Sequence, residues 1–426
     1  MRNDKGKSSS VRSASRKVCH LAACLPVALS LACSHPEATV PKSWDQKAAA
    51  SYLDSRESSW MAWPGAARDH ETFCVSCHTS VPYALARPSL REGLGEATLS
   101  ANELRPLNNV VKRVRLWKDV DPYYSGEGYD APKADESRGT EAVVNALILA
   151  SYDAGNGRMS DDTHAAFDNM WALQLTTGKN KGAWAWLQFD LEPWEANDSL
   201  YYGATLAALA VGTAPRNYRS TPEIQHNLEM LRDYLDREYA KQATLNRVSL
   251  LLASVKWPDL LPRERREAII QEVLAEQQPD GGWKLSSLEW SGWNLFALLR
   301  RWIREDGTPM DKNSDAYATG VVTFALQEAG MPRTNAEVQR GLAWLARHQN
   351  KTEGLWASSS LNKRRDPSSN TGQFMSDAAT AYAVLALTTG SLTSMGNGST
   401  PAQPTTSQSL TRPLETWETG LGISRR

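Results

Sequence analysis

Three residues with reactive side chains stand together in this 426-residue sequence: Cys74-Val75-Ser76-Cys77-His78. Two thiols with two residues between them open several chemistries. They can act as a redox dithiol or close a short disulfide. They can supply half of a zinc site, with His70 as a further donor, although no second ligand pair lies nearby. They can also act together with the adjacent imidazole on one prosthetic group. A thioredoxin-like dithiol would sit beside a βαβ pattern, and none is visible around residue 74.

The CxxCH spacing resembles the haem-attachment motif of c-type cytochromes. The resemblance implies covalently bound haem c. Cys74 and Cys77 would bond the two vinyl groups of one porphyrin, and His78 would be the proximal iron ligand. The dithiol, disulfide and zinc readings stay open beside it.

The N-terminus bears on this choice. Residues 1–17 carry Arg2, Lys5, Lys7, Arg12, Arg16 and Lys17 against a lone Asp4, and a mostly apolar run follows from Val18 to Ala32. A basic stretch, a short apolar stretch and small residues before a cut make a secretory signal. The run is too short for a permanent bilayer span. Ser30-Leu31-Ala32-Cys33 resembles the lipobox of bacterial lipoproteins, with Ser30 where that family prefers Leu; Leu21-Ala22-Ala23-Cys24 fits the letters better but has almost no apolar run before it. The expectation is a signal peptide over 1–32, a lipidated Cys33, a linker over 33–43, and a periplasmic lipoprotein anchored to a bacterial membrane. Ordinary cleavage after Ala32 with a free chain start is the alternative. Either cut removes Cys19 and Cys24 and leaves one close thiol pair beyond Cys33. Haem c is attached outside the bacterial cytoplasm, so the two features agree.

Composition excludes other classes. With 47 basic and 48 acidic residues the formal net charge is −1, which argues against a nucleic-acid binder. Five Cys cannot staple a chain of this length, and 41% hydrophobic residues exclude a wholly disordered one.

The motif must be positioned by helices. Charged amphipathic segments at about 44–59, 101–117, 161–177, 222–239, 262–278 and 334–349 alternate with Ala-rich apolar segments at about 78–92, 138–153, 197–212, 242–256, 315–329 and 376–389. In the charged segment beginning at Asn335, Val338, Leu342 and Leu345 fall at i, i+4 and i+7, the signature of one buried face. Ala379–Leu387 is apolar on every side, so that helix must be surrounded. Six one-sided and six all-round helices predict an all-α fold: a single (α/α)6 toroid over 44–390, outer and inner rings alternating, with nothing that reads as a strand. The polar, low-complexity stretch 391–426 is expected to be a disordered tail.

Turns between paired helices repeat a pattern: Gln277…Asp280-Gly281-Gly282-Trp283, Gln349…Glu353-Gly354-Leu355-Trp356, and Gln174…Gly182-Ala183-Trp184. Gly allows the left-handed turn, the acidic residue accepts backbone N–H groups, Gln ties turn to helix, and Trp covers the helix end. These turns account for part of an unusual content of 16 Trp against 6 Phe. They resemble the QW repeat of the squalene–hopene and oxidosqualene cyclase superfamily, which implies the toroid fold. The chemistry of that family does not carry over easily. Its acid motif DxDD has as its nearest match Ser314-Asp315-Ala316-Tyr317, with a single Asp that suits a helix cap. The zinc site of the related prenyltransferases needs a Cys, and none occurs after Cys77.

In a closed ring, pair six lies beside pair one. Met375, expected just before the sixth inner helix, then becomes the leading sixth iron ligand, since no Met occurs between Met61 and Met159. His70 and Met61 are alternatives, as is a five-coordinate iron. Lys363, Arg364 and Arg365 would either meet haem propionates or face water. Asp135-Glu136 and Glu195…Asp198 would either line the toroid mouth or cap helices. Residues 288–302, with Trp290, Trp293, Arg300 and Trp302, read as an inserted amphipathic helix that packs on the toroid edge or lies in a membrane interface. His226 and His348 fall on outer helices and call for no special role.

The expected function is electron transfer or redox sensing by an exported haem protein, with a periplasmic redox partner, an apolar small molecule in the cavity, and a membrane through the lipid anchor. The alternatives are a haem-dependent oxidoreductase or cyclase-like enzyme acting on an apolar terpenoid or lipid, oxidoreduction being favoured, and a haem-free binding module with a Cys74–Cys77 disulfide.

Overall fold

A computed structural model of the chain describes residues 44–390, apart from 127, 130, 216 and 289–301. The signal peptide, Cys33, the linker, most of the inserted amphipathic helix and the tail therefore lie outside the described residues. Among the described residues, twelve α-helices form six pairs. The outer members are α1 (Gln46–Ala62), α3 (Ala101–Arg115), α5 (Asp161–Ala172), α7 (Gln225–Glu238), α9 (Arg263–Ala275) and α11 (Ala336–His348). The inner members are α2 (Ser80–Leu94), α4 (Ala131–Asp153), α6 (Ser199–Thr213), α8 (Thr244–Lys256), α10 (Ala316–Glu328) and α12 (Asn370–Thr388).

The inner helices contact one another in order, α2 on α4, then α6, α8, α10 and α12, and α12 packs back on α2. The ring is closed and the expected α/α toroid is what forms. Val338, Leu342 and Leu345 are each fully buried on one face of α11, whereas most residues of α6, and nearly all of α12 from Met375 onward, are buried. That is the one-sided versus all-round pattern expected of outer and inner rings.

The turns add side-chain hydrogen bonds between neighbouring pairs. Gln277 Nε2 donates to Gly281 O of its own turn and to Glu337 O on the next outer helix, both at 2.9 Å. Gln174 does the same with Gly182 O and Asn227 O, both at 3.0 Å. Gln349 joins the last pair to the first: it donates to Asp45 O at 2.9 Å and accepts from Asp45 N at 2.7 Å. The indole N–H of Trp184, Trp283 and Trp356 donates to Met170 O, Val273 O and Leu345 O, which are carbonyls in the last turn of an outer helix. Such carbonyls have no partner within the helix. Gly354 has φ +81°, and a Cβ there would collide with Ala48 O across the seam. The acidic position varies: Asp280 accepts from Gly282 N at 3.1 Å, but in the last turn Asn350 takes that part, accepting from Thr352 N and Glu353 N.

Three expectations need correction. Short strands do occur: β1 (Ala67–Arg68) pairs with β2 (Thr72–Phe73), and β3 (Trp283–Lys284) with β4 (Ser314–Asp315). Helix α4 starts at Ala131, not 138, because its polar first turns, with Pro132 near the start, mask the onset. Helix α12 starts at Asn370, where Ser369 caps Gly372 N at 3.0 Å, so Met375 lies inside the helix and not before it.

Candidate functional site

The motif occupies the connection between α1 and α2. The β1–β2 hairpin turns through His70 and Glu71, both at positive φ, and delivers the chain to Cys74. Asn109 of α3 clamps β2, accepting from Phe73 N at 2.9 Å and donating to Phe73 O at 3.0 Å. Cys74 N donates to Ala66 O, and Trp60 Nε1 donates to Cys74 O at 2.6 Å. Ser76, between the two cysteines, caps α2: its hydroxyl accepts from Thr79 N at 3.2 Å and Ser80 N at 3.1 Å. Cys74 and Cys77 are both free and buried. Burial pushes the Cys74 thiol up to about 12 and the Cys77 thiol well above its ordinary range.

The His78 ring is held on three sides. Phe374 of α12 stacks on it, Trp60 meets it edge-on at 4.9 Å, and Trp194 lies 6.1 Å away between centroids. Its Nδ1 is 2.8 Å from Thr79 Oγ1, so Nε2 is the ring nitrogen left for a ligand. Burial first, and the Arg56 cation second, hold the His78 pKa down to about 3, so the imidazole is neutral. Thr79 Oγ1 donates in turn to Asp377 Oδ2 at 2.7 Å.

His78 opens on a cavity of about 330 Å³. Its apolar wall is Trp60, Trp63, Tyr124, Phe189, Leu191, Trp194, Phe374 and Met375; its charged residues are Glu192, Glu195 and Arg365. Most of these residues belong to segments that lead into inner helices or to their first turns, so the cavity lies at the end of the toroid where the inner helices begin. Burial raises Glu195 to about 7 against the pull of Lys133. A carboxyl poised there can hold or release a proton near neutral pH.

Of the three sixth-ligand candidates, only Met375 shares the cavity wall with His78. His70 sits exposed at the hairpin tip, 3.8 Å from Asp69, and Met61 is buried in α1 away from the lining. No group of three or more His, Cys, Asp and Glu side chains poised for a metal ion occurs among the described residues. Arg365 reaches the cavity, while Lys363 and Arg364 are exposed. Of the acidic residues expected at helix starts, Asp135 and Glu136 lie within α4, Glu195 lines the cavity, and Asp198 stands at the start of α6 but bonds Asn246 Nδ2 at 3.1 Å instead of capping. Asp315 is a cap, accepting from Tyr317 N at 2.8 Å and Ala318 N at 3.3 Å. His226 is exposed, and His348 stacks on Trp344 of its own helix. Sequence reasoning missed Phe374, Thr79, Asp377 and Arg56; their only signal is the ring closure that sets α12 against α1 and α2.

No protein-family model and no curated protein matches the chain. Among solved structures, it is similar to a glycosidase at 14% identity over 80% of this chain and 86% of that one, with a TM-score of 0.37.

Proposed function

We propose that this chain is an exported haem c protein serving electron transfer or redox sensing. Cys74 and Cys77 would hold the porphyrin, His78 would bind its iron, and the cavity at the end of the toroid would be the pocket. The observation that carries the reading is the pairing of two free thiols with an adjacent imidazole that lines an aromatic cavity and has its Nδ1 engaged by Thr79. The donor types suit the group: His78 lines the cavity, while Cys74 and Cys77 are buried beside it in sequence and are not among its lining residues. Thiols three positions apart suit one porphyrin, neutral imidazole is the form that binds iron, and Arg365 on the wall suits a propionate. When bound, haem c supplies a one-electron iron couple. The chain's own residues orient His78, exclude water with Trp60, Trp63, Trp194 and Phe374, and place Met375 on the same wall for the sixth position. The raised thiols weigh against the dithiol reading, which needs a thiolate at neutral pH.

One observation favours a second reading. Glu195 is an acid of neutral-range pKa on the cavity wall, as a haem-dependent oxidoreductase acting on a small apolar molecule would use. Carbon monoxide binding by the reduced protein separates the two: an electron carrier with Met375 on the iron resists it, and an enzyme with an open position takes it up. The Gln–Gly–Trp turns support kinship with the cyclase superfamily. Asp315, engaged as a cap, does not support cyclase chemistry.

The basic and apolar N-terminus supports export, with Cys33 as a lipid anchor and a periplasmic redox partner. No helix among the described residues is long and apolar enough to cross a membrane. A peroxidase stain for haem on denatured protein tests the reading. Retained stain supports it, and none from exported protein would refute it.

A further inference from the structure

We infer that Asp377, acting through Thr79, is a positioning residue that leaves Nε2 as the lone-pair nitrogen of His78 and sets how electron-rich that nitrogen is. Asp377 is 1% exposed in the second turn of α12. It receives Tyr52 Oη at 2.8 Å, Arg56 Nε at 2.7 Å, Arg56 Nη2 at 3.1 Å and Thr79 Oγ1 at 2.7 Å. Every one of these partners donates, and a carboxylate is the form that accepts them all.

The consequence for His78 follows from counting hydrogens. The Thr79 hydroxyl has one, and it goes to Asp377. Toward His78 Nδ1, 2.8 Å away, the same oxygen can only present a lone pair, so the Nδ1–H donates to it. The Phe374 stack and the Trp60 edge contact then fix the ring plane.

An independent detail supports the assignment. Thr79 stands at the cap position of α2, yet its side chain makes no cap hydrogen bond, because Ser76 supplies that function. The Thr79 hydroxyl is thereby left for the relay. The chain Arg56–Asp377–Thr79–His78 crosses from α1 and α12 to α2, so the seam that closes the ring also orients the ligand. An acceptor on the far side of a metal-binding imidazole raises its basicity, which favours the ferric state.

The effect on iron rests on the haem reading; the tautomer does not. Thr79→Val in the full chain removes the relay, leaves the Arg56–Asp377 pair in place and keeps the volume. Thr79→Ala is a second break should the valine disturb folding, and Thr79→Ser is the rescue. The ring ¹⁵N shifts of His78 in the haem-free chain and the reduction potential of the loaded protein are measured together. The native and Ser chains are expected to show one Nδ1–H tautomer, and the Val and Ala chains a mixture. The potential of the broken variants is expected to rise by about 59 mV, about a tenfold shift in a one-electron equilibrium. Val and Ala chains with the native tautomer and native potential would overturn the inference. A native chain that takes up no haem would overturn the haem reading instead, and the ¹⁵N comparison would still decide the relay.

Discussion

Phe374 lies flat against the His78 imidazole, with ring centroids 3.6 Å apart and planes 16° from parallel, although the two residues come from the last and first helix pairs. The stack holds the imidazole and walls the cavity in one contact. Phe374 is only partly buried, so Phe374→Ala should cost less than a full core truncation, about 2 kcal/mol in a denaturant titration. A loss below about 0.5 kcal/mol would mean that the stack contributes little.

Met375 shares the cavity wall with His78 from the next position in α12. Met375→Ala should convert a low-spin optical spectrum of the reduced protein to a high-spin one and open the iron to carbon monoxide. An unchanged low-spin spectrum would remove Met375 as the sixth ligand.

Two glycines at positive φ give a controlled test of the seam. Gly354 (φ +81°) faces Ala48 O, whereas Gly95 (φ +69°) has no neighbour within 4 Å of where a Cβ would stand. Gly95→Ala should cost about 1 kcal/mol from backbone conformation alone. Gly354→Ala adds a backbone collision across the joint between pairs six and one and should cost more than about 3 kcal/mol. Equal losses in thermal or denaturant unfolding would show that the ring does not depend on this approach.

Glu57 of α1 is wholly buried, and desolvation raises it from 4.5 to about 8. The folded chain therefore holds a proton that the unfolded chain releases above pH 4.5. This contribution to stability is full below about pH 4.5 and is lost as pH rises through about 8. Glu57→Gln should flatten that part of the stability–pH curve, raising stability at pH 8–9 by a few kcal/mol relative to the native chain and changing it little at pH 4. A parallel curve would show that the carboxyl ionises without cost in the fold.

The ring was legible because its signal is local and repeated. One-sided α11 and all-round α12 differ in their own residues, and Gln, Gly and Trp recur at the same turn positions. The Cys74–His78 cluster stood out in the sequence because its members are contiguous. Asp377 and Phe374 did not, because their partners Thr79 and His78 are brought to them only by closure of the ring. The polar first turns of α12 also hid its true start, which misplaced Met375 relative to the helix. Glu195 read equally well as a cap or a mouth residue, and only the cavity separates those roles.

The haem reading requires that Cys74 and Cys77 both hold one porphyrin. Tandem mass spectrometry of the proteolytic peptide spanning Cys74–His78, taken from protein exported by a host with haem-attachment machinery, tests it most directly. A single haem bonded through both sulfurs is expected, reduced to single or no attachment when either cysteine is replaced by serine. Two free thiols, or a Cys74–Cys77 disulfide with no added mass from a porphyrin, would contradict it.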